Sequence, residues 1–378
     1  MGPLAGVRVI ELASLAPAPF ACAMLADMGA DVLRIDRPSR ELEAPLTLGR
    51  GKRSAILDLK KPAGRGALLR MVAHADILVE GNRPGVAERL GIGPEDCWEH
   101  NPRLVYGRMT GWGQTGLLAP EVGHDINYIA IAGALHPVGR VGERPVPPVN
   151  FVGDFGGGGM LLVVGLVSAL VERARSGRGQ VVDAAMVDGA ALLTSCLHGM
   201  IAEGWWVDER GVNLTDGGAP FYDTYETSDR EYVAVGAIEP RFYAALLDGL
   251  GLDPATVGPQ DDQSSWPAMR ERFREVFKIR TRAEWTAHFA GTEACVSPVL
   301  RLTEAPQNEH NRTRGTFVEV AGVPQPAPAP RFSRTPGAVS AGAPRPGQHT
   351  VDALRDWGLT ADEIDDLTQQ GVAVASAP

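Results

Sequence analysis

Three residues stand where proton chemistry could be carried out. His124 and Asp125 open the stretch GHDINYIAIAGALHPVGR (123–140), which follows a loop reading TGWGQTG, and Asp154 lies in VNFVGDFGGGG (149–159) between an apolar run and four glycines. Imidazole is the side chain best matched to proton transfer near neutral pH. His124 alone among the histidines is flanked by an acid in a glycine-bounded loop, although an ordinary surface or core histidine would fit the same letters. Glycines at a helix N-terminus bring bare N–H groups and the positive end of the helix dipole against an anion or a developing oxyanion. Asp154 therefore either caps a helix expected to begin near Met160 or meets a ligand pressed against backbone. A third acid, Glu239 in GAIEPRFY, precedes Pro240, where acids favour helix starts in any case.

A second feature is basic. GRGKRSAILDLKKPAGR (49–65) gathers three of the four lysines with Arg50, Arg53 and Arg65, and GNRPGVAERLG (81–91) adds Arg83 and Arg89 around a Pro-Gly turn. In a chain of formal charge −10 these are the expected seat for a phosphorylated ligand, or else a solvated basic face. The same net charge argues against nucleic-acid binding, which needs a basic face.

The elements that would position these groups follow from apolar runs and their breaks. GVRVIEL (6–12), DVLRID (31–36), SAILDL (54–59), ADILVE (75–80) and RLVYGRMTG (103–111) read as buried strands with helices between them, including PFACAMLADMGA and PAGRGALLRMVAH. That alternation predicts an α/β fold with an open parallel sheet. The turn after the first strand, ASLAPAP, lacks the GxGxxG that a dinucleotide pyrophosphate needs, so nicotinamide chemistry is not expected. The run MLLVVGLVSALV (160–171) is too short to span a bilayer and reads as a buried helix.

From residue 219 the texture changes. APFYDTYETSDREYVAVGA alternates about a polar turn at 228–230, a hairpin signal, and EPRFYAALLDGLGL and MRERFREVFKIR read as helices. We therefore expect a large domain over 1–190, a linker over 191–218 and a small α/β domain over 219–305. Residues 306–378 would return to the large domain through a Pro/Gly/Ala-rich connection (322–349) and one C-terminal helix. At 378 residues, 22% charged and 44% hydrophobic, the composition is that of a soluble globular chain. Four scattered cysteines without CxxC predict a reduced, zinc-free, cytoplasmic protein. The stretch MGPLAGVRVIEL lacks a basic n-region, and VASAP does not read as a peroxisomal tail.

GPLAGVRVIELA, LADMGADVLRIDRP, NRPGVAERLG, TGWGQTG, GHDINY, GDFGGGG, GQVVDAAMVDG and GGAPFYDTYET together resemble the family III CoA-transferases of the CaiB/BaiF type. Within that family they are similar to the branch of acyl-CoA racemases. The resemblance implies an interlocked homodimer, each chain a Rossmann-like large domain and a small domain. It implies inversion of the α-carbon of 2-methylacyl-CoA thioesters by proton transfer through an enolate, with His124 and Asp154 as the two proton-transferring groups. Glu239 from the partner chain would orient His124, and the Asp125 backbone would line the thioester oxygen. Coenzyme A would be held by Arg37, by Leu57, Asp58, Leu59 and Lys60, and by Gly81, Asn82, Arg83 and Arg89. Gly123, Ile126, Asn127 and Tyr128 would join them, with Gly153, Phe155, Gly156, Gly157 and Gly158. Neither a metal nor any cofactor beyond the substrate's own coenzyme A is implied, and acyl-CoA and a second copy of the chain are the expected partners, without nucleic acid or membrane. Transferases of the same fold use the acid matching Asp154 as a nucleophile to move CoA between carboxylic acids, which leaves transferase activity as the alternative.

Overall fold

Short β-branched runs that are apolar on both faces can only be central strands of a covered sheet. The computed structural model describes residues 2–38 and 46–376. Its strands, in chain order, are β1 (Arg8–Leu12), β2 (Asp31–Asp36), β3 (Arg53–Leu57), β4 (Ile77–Glu80), β5 (Val105–Thr110), β6 (Val181–Ala185), β7 (Tyr222–Glu226), β8 (Tyr232–Gly236), β9 (Val296–Pro298), β10 (Phe317–Val320), β11 (Val323–Pro326) and β12 (Ala373–Val374). Seven of them form one sheet in the order β12-β3-β2-β1-β4-β5-β6, parallel throughout except for β12, which runs antiparallel to β3. The order β3-β2-β1-β4-β5-β6 reverses direction between β1 and β4. In open α/β sheets a ligand crevice opens at such a reversal, outside the carboxyl ends of the strands.

The chain divides into two compact units. The first comprises Met1–Ala132, Val149–Leu193 and Arg312–Pro378; the second comprises Gly133–Pro148 and Thr194–Asn311. Residues 133–148, expected with the large domain, thus belong to the second unit, as does most of the expected linker, which carries the helix Ser195–Ala202.

In the first unit, alternate strand residues feed two cores, because successive side chains point to opposite faces. Val9, Val32 and Ile77 meet the helices Pro17–Asp27 and Leu161–Ser176, while Ile10, Leu33 and Leu78 meet the helix Pro62–Val72 and the C-terminal segment around Trp357. The C-terminal segment is two helices, Thr350–Asp356 and Ala361–Gln369, where the sequence suggested one. Gly358 breaks them at φ +98°, and Thr360 restarts the second by accepting from the Glu363 N–H. The Pro-rich connection is held by main-chain bonds: Gly51 N–H donates to the Ala341 carbonyl and Ala338 N–H to that of Asp27.

The largest departure concerns the glycine segment. The helix does not begin near Met160: Phe151–Met160 is itself π-helical and runs without a break into the α-helix Leu161–Ser176. The joined helix of 26 residues has the length and composition to cross a bilayer, which the shorter run read from sequence lacks. It is also only half buried. Leu162, Val163, Leu166 and Ala169 pack into the first unit, while Met160, Val164 and Val171 are exposed and fall within about 40° of one another around the helix.

The second unit holds the antiparallel sheet β7-β8-β9. Its core is aromatic, with Tyr225, Phe273, Phe277 and Trp285 in edge and stacked contact and Phe221 edge-on to Tyr243 and Trp266. The hairpin turn places Arg230 at φ 62°, and Pro240 opens the helix Pro240–Leu250 with Glu239 at its N-cap.

Several basic residues expected to face a ligand are instead paired with acids, Arg50 and Lys52 in the interior and Arg53 half-buried. Lys52 Nζ lies 2.5 Å from Glu11 Oε2 and 2.9 Å from the Pro19 carbonyl with both side chains fully buried. Arg50 pairs with Asp27 at 2.6 Å, and Arg53 pairs with Asp31 and Asp356, each at 2.8 Å. They fasten the loop before β3 and the strand's start to the strands and helices around them. Lys52→Ala should cost about 3–5 kcal/mol in equilibrium denaturation, because it strands the Glu11 carboxylate. Lys52→Met with Glu11→Leu should recover most of that loss; equal losses in both variants would show that the pair is not what the core depends on.

Candidate active site

A cavity of about 1120 Å³ opens in the first unit at the carboxyl ends of β1, β4 and β5. Ser14–Pro17 follow β1, Gly81–Pro84 follow β4, and Met109–Trp112 end β5. This is the reversal point of the sheet, where the strand order alone locates a crevice. His124, Asn127, Tyr128 and Asp154 complete the polar part of the wall, and Leu15, Leu118, Val122, Ile131 and Met186 the apolar part.

His124 is the N-cap of the helix Asp125–Ile131 in extended conformation, and its main chain is tied on both sides. The Asn127 carboxamide accepts from the His124 N–H at 3.0 Å, and the Tyr128 hydroxyl donates to the Gly123 carbonyl. Tyr128 packs edge-on against Trp112 at 4.8 Å, and its ring fills the space a side chain at Gly111 or Gly123 would need. Those two glycines exist for the tyrosine. Burial, then the negative charge of Asp154, pushes the Tyr128 hydroxyl up, so it remains a donor.

Asp154 is the fourth residue of the π-helical stretch, where i to i+5 bonding leaves the first amides without a helical acceptor. Its own N–H donates to Asp125 Oδ1 at 2.7 Å, and Asn150 Nδ2 donates to its Oδ2 at 2.9 Å. Asp154 thus caps nothing; it is itself held by two neighbours. Burial pushes its carboxyl above the usual range, the Asn150 hydrogen bond pulls it back, Asp125 raises it and His124 lowers it. A carboxyl so placed can carry a proton more readily than a solvated one.

The glycines pack rather than offering a bare loop. A side chain at Gly157 would strike Ala190 N at 2.6 Å, and one at Gly159 would strike Phe20 Cδ1 at 2.6 Å and the Pro17 carbonyl at 2.8 Å. From Gly156 onward the amides lie inside the helix, where i to i+5 bonding occupies them.

The whole chain now has a lineage. The sequence pattern of CoA-transferase family III matches residues 4–350. This chain belongs to that family. It is 50% identical over 363 residues to the mouse (Mus musculus) α-methylacyl-CoA racemase, covering 96% of this chain and 95% of the relative. The human (Homo sapiens) α-methylacyl-CoA racemase is 45% identical over 372 residues, 98% and 97% of the two chains. Among solved structures, a CaiB/BaiF family protein from Brucella suis superposes with a TM-score of 0.82 at 24% identity, covering 94% of this chain and 99% of its own.

Of the site residues expected from sequence, His124, Asp154, Gly81, Asn82, Arg83, Gly123, Asn127 and Tyr128 line the one cavity. Arg37 reaches its edge through Asn82, at 3.4 Å from Oδ1. Leu57 is a core side chain, so that position can offer only backbone, whereas Lys60 and Arg89 are exposed. Asp125, Gly153, Gly157 and Gly158 are buried behind the wall, and Glu239 belongs to the second unit. Sequence reasoning missed Asn150, although it lies four residues ahead of Asp154, about one helical turn. The missing signal was the helix, read as loop at that point. Asn150→Ala should move the titration midpoint of Asp154 upward, followed by carboxyl ¹³C shift. An unmoved or lowered midpoint would mean that the amide does not stabilise the carboxylate.

Proposed function

We infer that this chain is an α-methylacyl-CoA racemase, inverting the carbon beside the thioester carbonyl of 2-methylacyl-CoA. The observation that carries this reading is the joint presence of His124 and Asp154 on one cavity wall, each fixed through its own main chain, in a chain of racemase ancestry. Inversion requires a proton to leave one face of the carbon and another to arrive on the opposite face, so two groups serve better than one. Asp154, raised by burial, can alternate between acid and base, and His124 supplies the second group.

The α-proton of a thioester is far less acidic than either group, so the enolate oxygen has to be stabilised. Asp125 is the first residue of its helix, and its N–H has no intrahelical acceptor. Aimed at the thioester oxygen, such a donor contributes about 3–4 kcal/mol to the transition state. Arg83 on the wall, Arg37 beside Asn82, and exposed Lys60 and Arg89 are the cations for the phosphates of coenzyme A. The acyl chain would lie along Leu15, Leu118, Val122 and Ile131.

The active form in this reading is an interlocked homodimer in which Glu239 of one chain orients His124 of the other. Supporting it is the exposed apolar stripe of Met160, Val164 and Val171, since solvent-facing apolar patches of this kind mark interfaces. The reading also keeps the enzyme in the cytoplasm.

One pure epimer of a 2-methylacyl-CoA, incubated with the protein in deuterated water, should lose optical purity and gain α-deuterium with no second substrate. If inversion is absent and CoA moves only when a free carboxylic acid is added, the protein is a transferase acting through an Asp154 acyl-enzyme. For the shared site, co-expressing Glu239→Ala with His124→Ala subunits should restore activity above that of either variant, because some sites become wild type at both positions. Mixed dimers as inactive as the parents would place both residues in one chain's site.

A further inference from the structure

The Asp125 side chain has no part in the chemistry described above, yet it is buried directly behind Asp154. It is 7% exposed, its Oδ1 accepts the Asp154 N–H at 2.7 Å, and its Oδ2 is sealed from solvent with no hydrogen-bond partner among the described residues. A neutral Asn or Ser could accept the same amide without burying an unmatched carboxylate oxygen, so the charge calls for a further reason. The second observation lies opposite. Gly153 is buried, and a Cβ there would come 2.5 Å from Asp125 Oδ1 and 3.2 Å from Ile129 Cγ2. The carboxylate therefore occupies the volume in which a side chain at 153 would stand.

We propose that the side chain of Asp125 is a positioning residue for Asp154, reaching its main chain through the gap left by Gly153 and setting both where the acid sits and the charge it works against. This rests on the racemase reading. One residue then serves two ends: its main chain starts the helix that presents His124, and its side chain holds the main chain that presents Asp154. The two proton-transferring groups are thereby registered to each other through a single residue. The charged and titratable groups facing Asp154 are Asp125, His124 and Tyr128. Asp125 raises the Asp154 carboxyl where His124 lowers it, so the two neighbours pull it in opposite directions. Without it, a protonated His124 would hold Asp154 more firmly as carboxylate, and return of a proton from Asp154 would suffer most.

The test uses the full chain as wild type, Asp125→Asn, Asp125→Ala, Gly153→Ala and the double variant Asp125→Ala/Gly153→Ala. The α-deuterium exchange of a 2-methylacyl-CoA is followed against pH, with KM and thermal unfolding alongside. Asp125→Ala should lower kcat by about 10- to 100-fold with KM little changed, the signature of a misplaced group rather than lost binding. Gly153→Ala should do the same, and the double variant should be no worse than the worse single, because both act on one contact. Asp125→Asn keeps the acceptor oxygen and loses the charge. Its kcat should lie between wild type and Asp125→Ala, and the limb of its pH profile that belongs to Asp154 should move to lower pH. Wild-type kcat in Asp125→Ala, or an unmoved limb in Asp125→Asn, overturns the proposal. Should Asp125→Ala fail to fold, Asp125→Asn decides. Wild-type protein that exchanges no α-proton would instead sink the racemase reading. The ¹³C titration of Asp154 in Asp125→Asn, expected to shift downward, would still test the positioning role without any activity.

Discussion

The site depends on how closely one length of main chain can approach its neighbours. Over Phe151–Met160 the backbone lies against Asp125, the helix Met186–Leu193 at Ala190, and the start of the Pro17–Asp27 helix, at separations where no Cβ fits. Four consecutive glycines in a helix are expensive, at roughly 1 kcal/mol each relative to alanine. π-helical turns are also rare outside functional sites. What they secure is position: Asp154 is brought to the wall of the cavity from a helix braced on three sides, instead of from a loop free to move.

The rest of the first unit follows from that bracing. The Pro17–Asp27 helix that the glycines touch is tied to the sheet by the buried Lys52–Glu11 pair, with Lys52 also donating to the Pro19 carbonyl. The turn leading into it, Ser14–Pro17, forms one lip of the cavity, and the turn after β4 forms the other. Strand order places those lips side by side at the sheet reversal, and helix packing brings His124 and Asp154 to the same cavity. Charge buried in this chain thus builds the frame, while Arg83, Lys60 and Arg89 stay exposed.

The large sheet was legible in the sequence because strands buried on both faces leave unbroken apolar runs, and β1 to β5 stand within a few residues of where those runs predict. His124 and Asp154, singled out by residue type and glycine context, line one cavity. What sequence could not give was what each glycine faces. Gly111 and Gly123 make room for Tyr128 and Gly153 for a carboxylate, and nothing in the letters names those partners. Part of the basic stretch 49–65 turns inward for a related reason, while Lys60 stays exposed. Arg50, Lys52 and Arg53 find acids at Asp27, Glu11, Asp31 and Asp356, partners brought near only by the fold. The run 160–171 reads as a wholly buried helix because apolar letters do not say which face meets the sheet and which faces solvent.

That His124 and Asp154 serve opposite faces of one enolate is tested most directly by exchange of each epimer with each single variant. The quantity to measure is the rate of α-deuterium incorporation in deuterated water, for both epimers of one 2-methylacyl-CoA, with His124→Ala and with Asp154→Ala, after thioester binding has been verified. Both variants should lose inversion. His124→Ala should retain exchange for the epimer whose proton faces Asp154, and Asp154→Ala for the other. Equal loss of exchange from both epimers in either variant, with thioester affinity intact, would contradict separate bases and leave a single group to do both transfers.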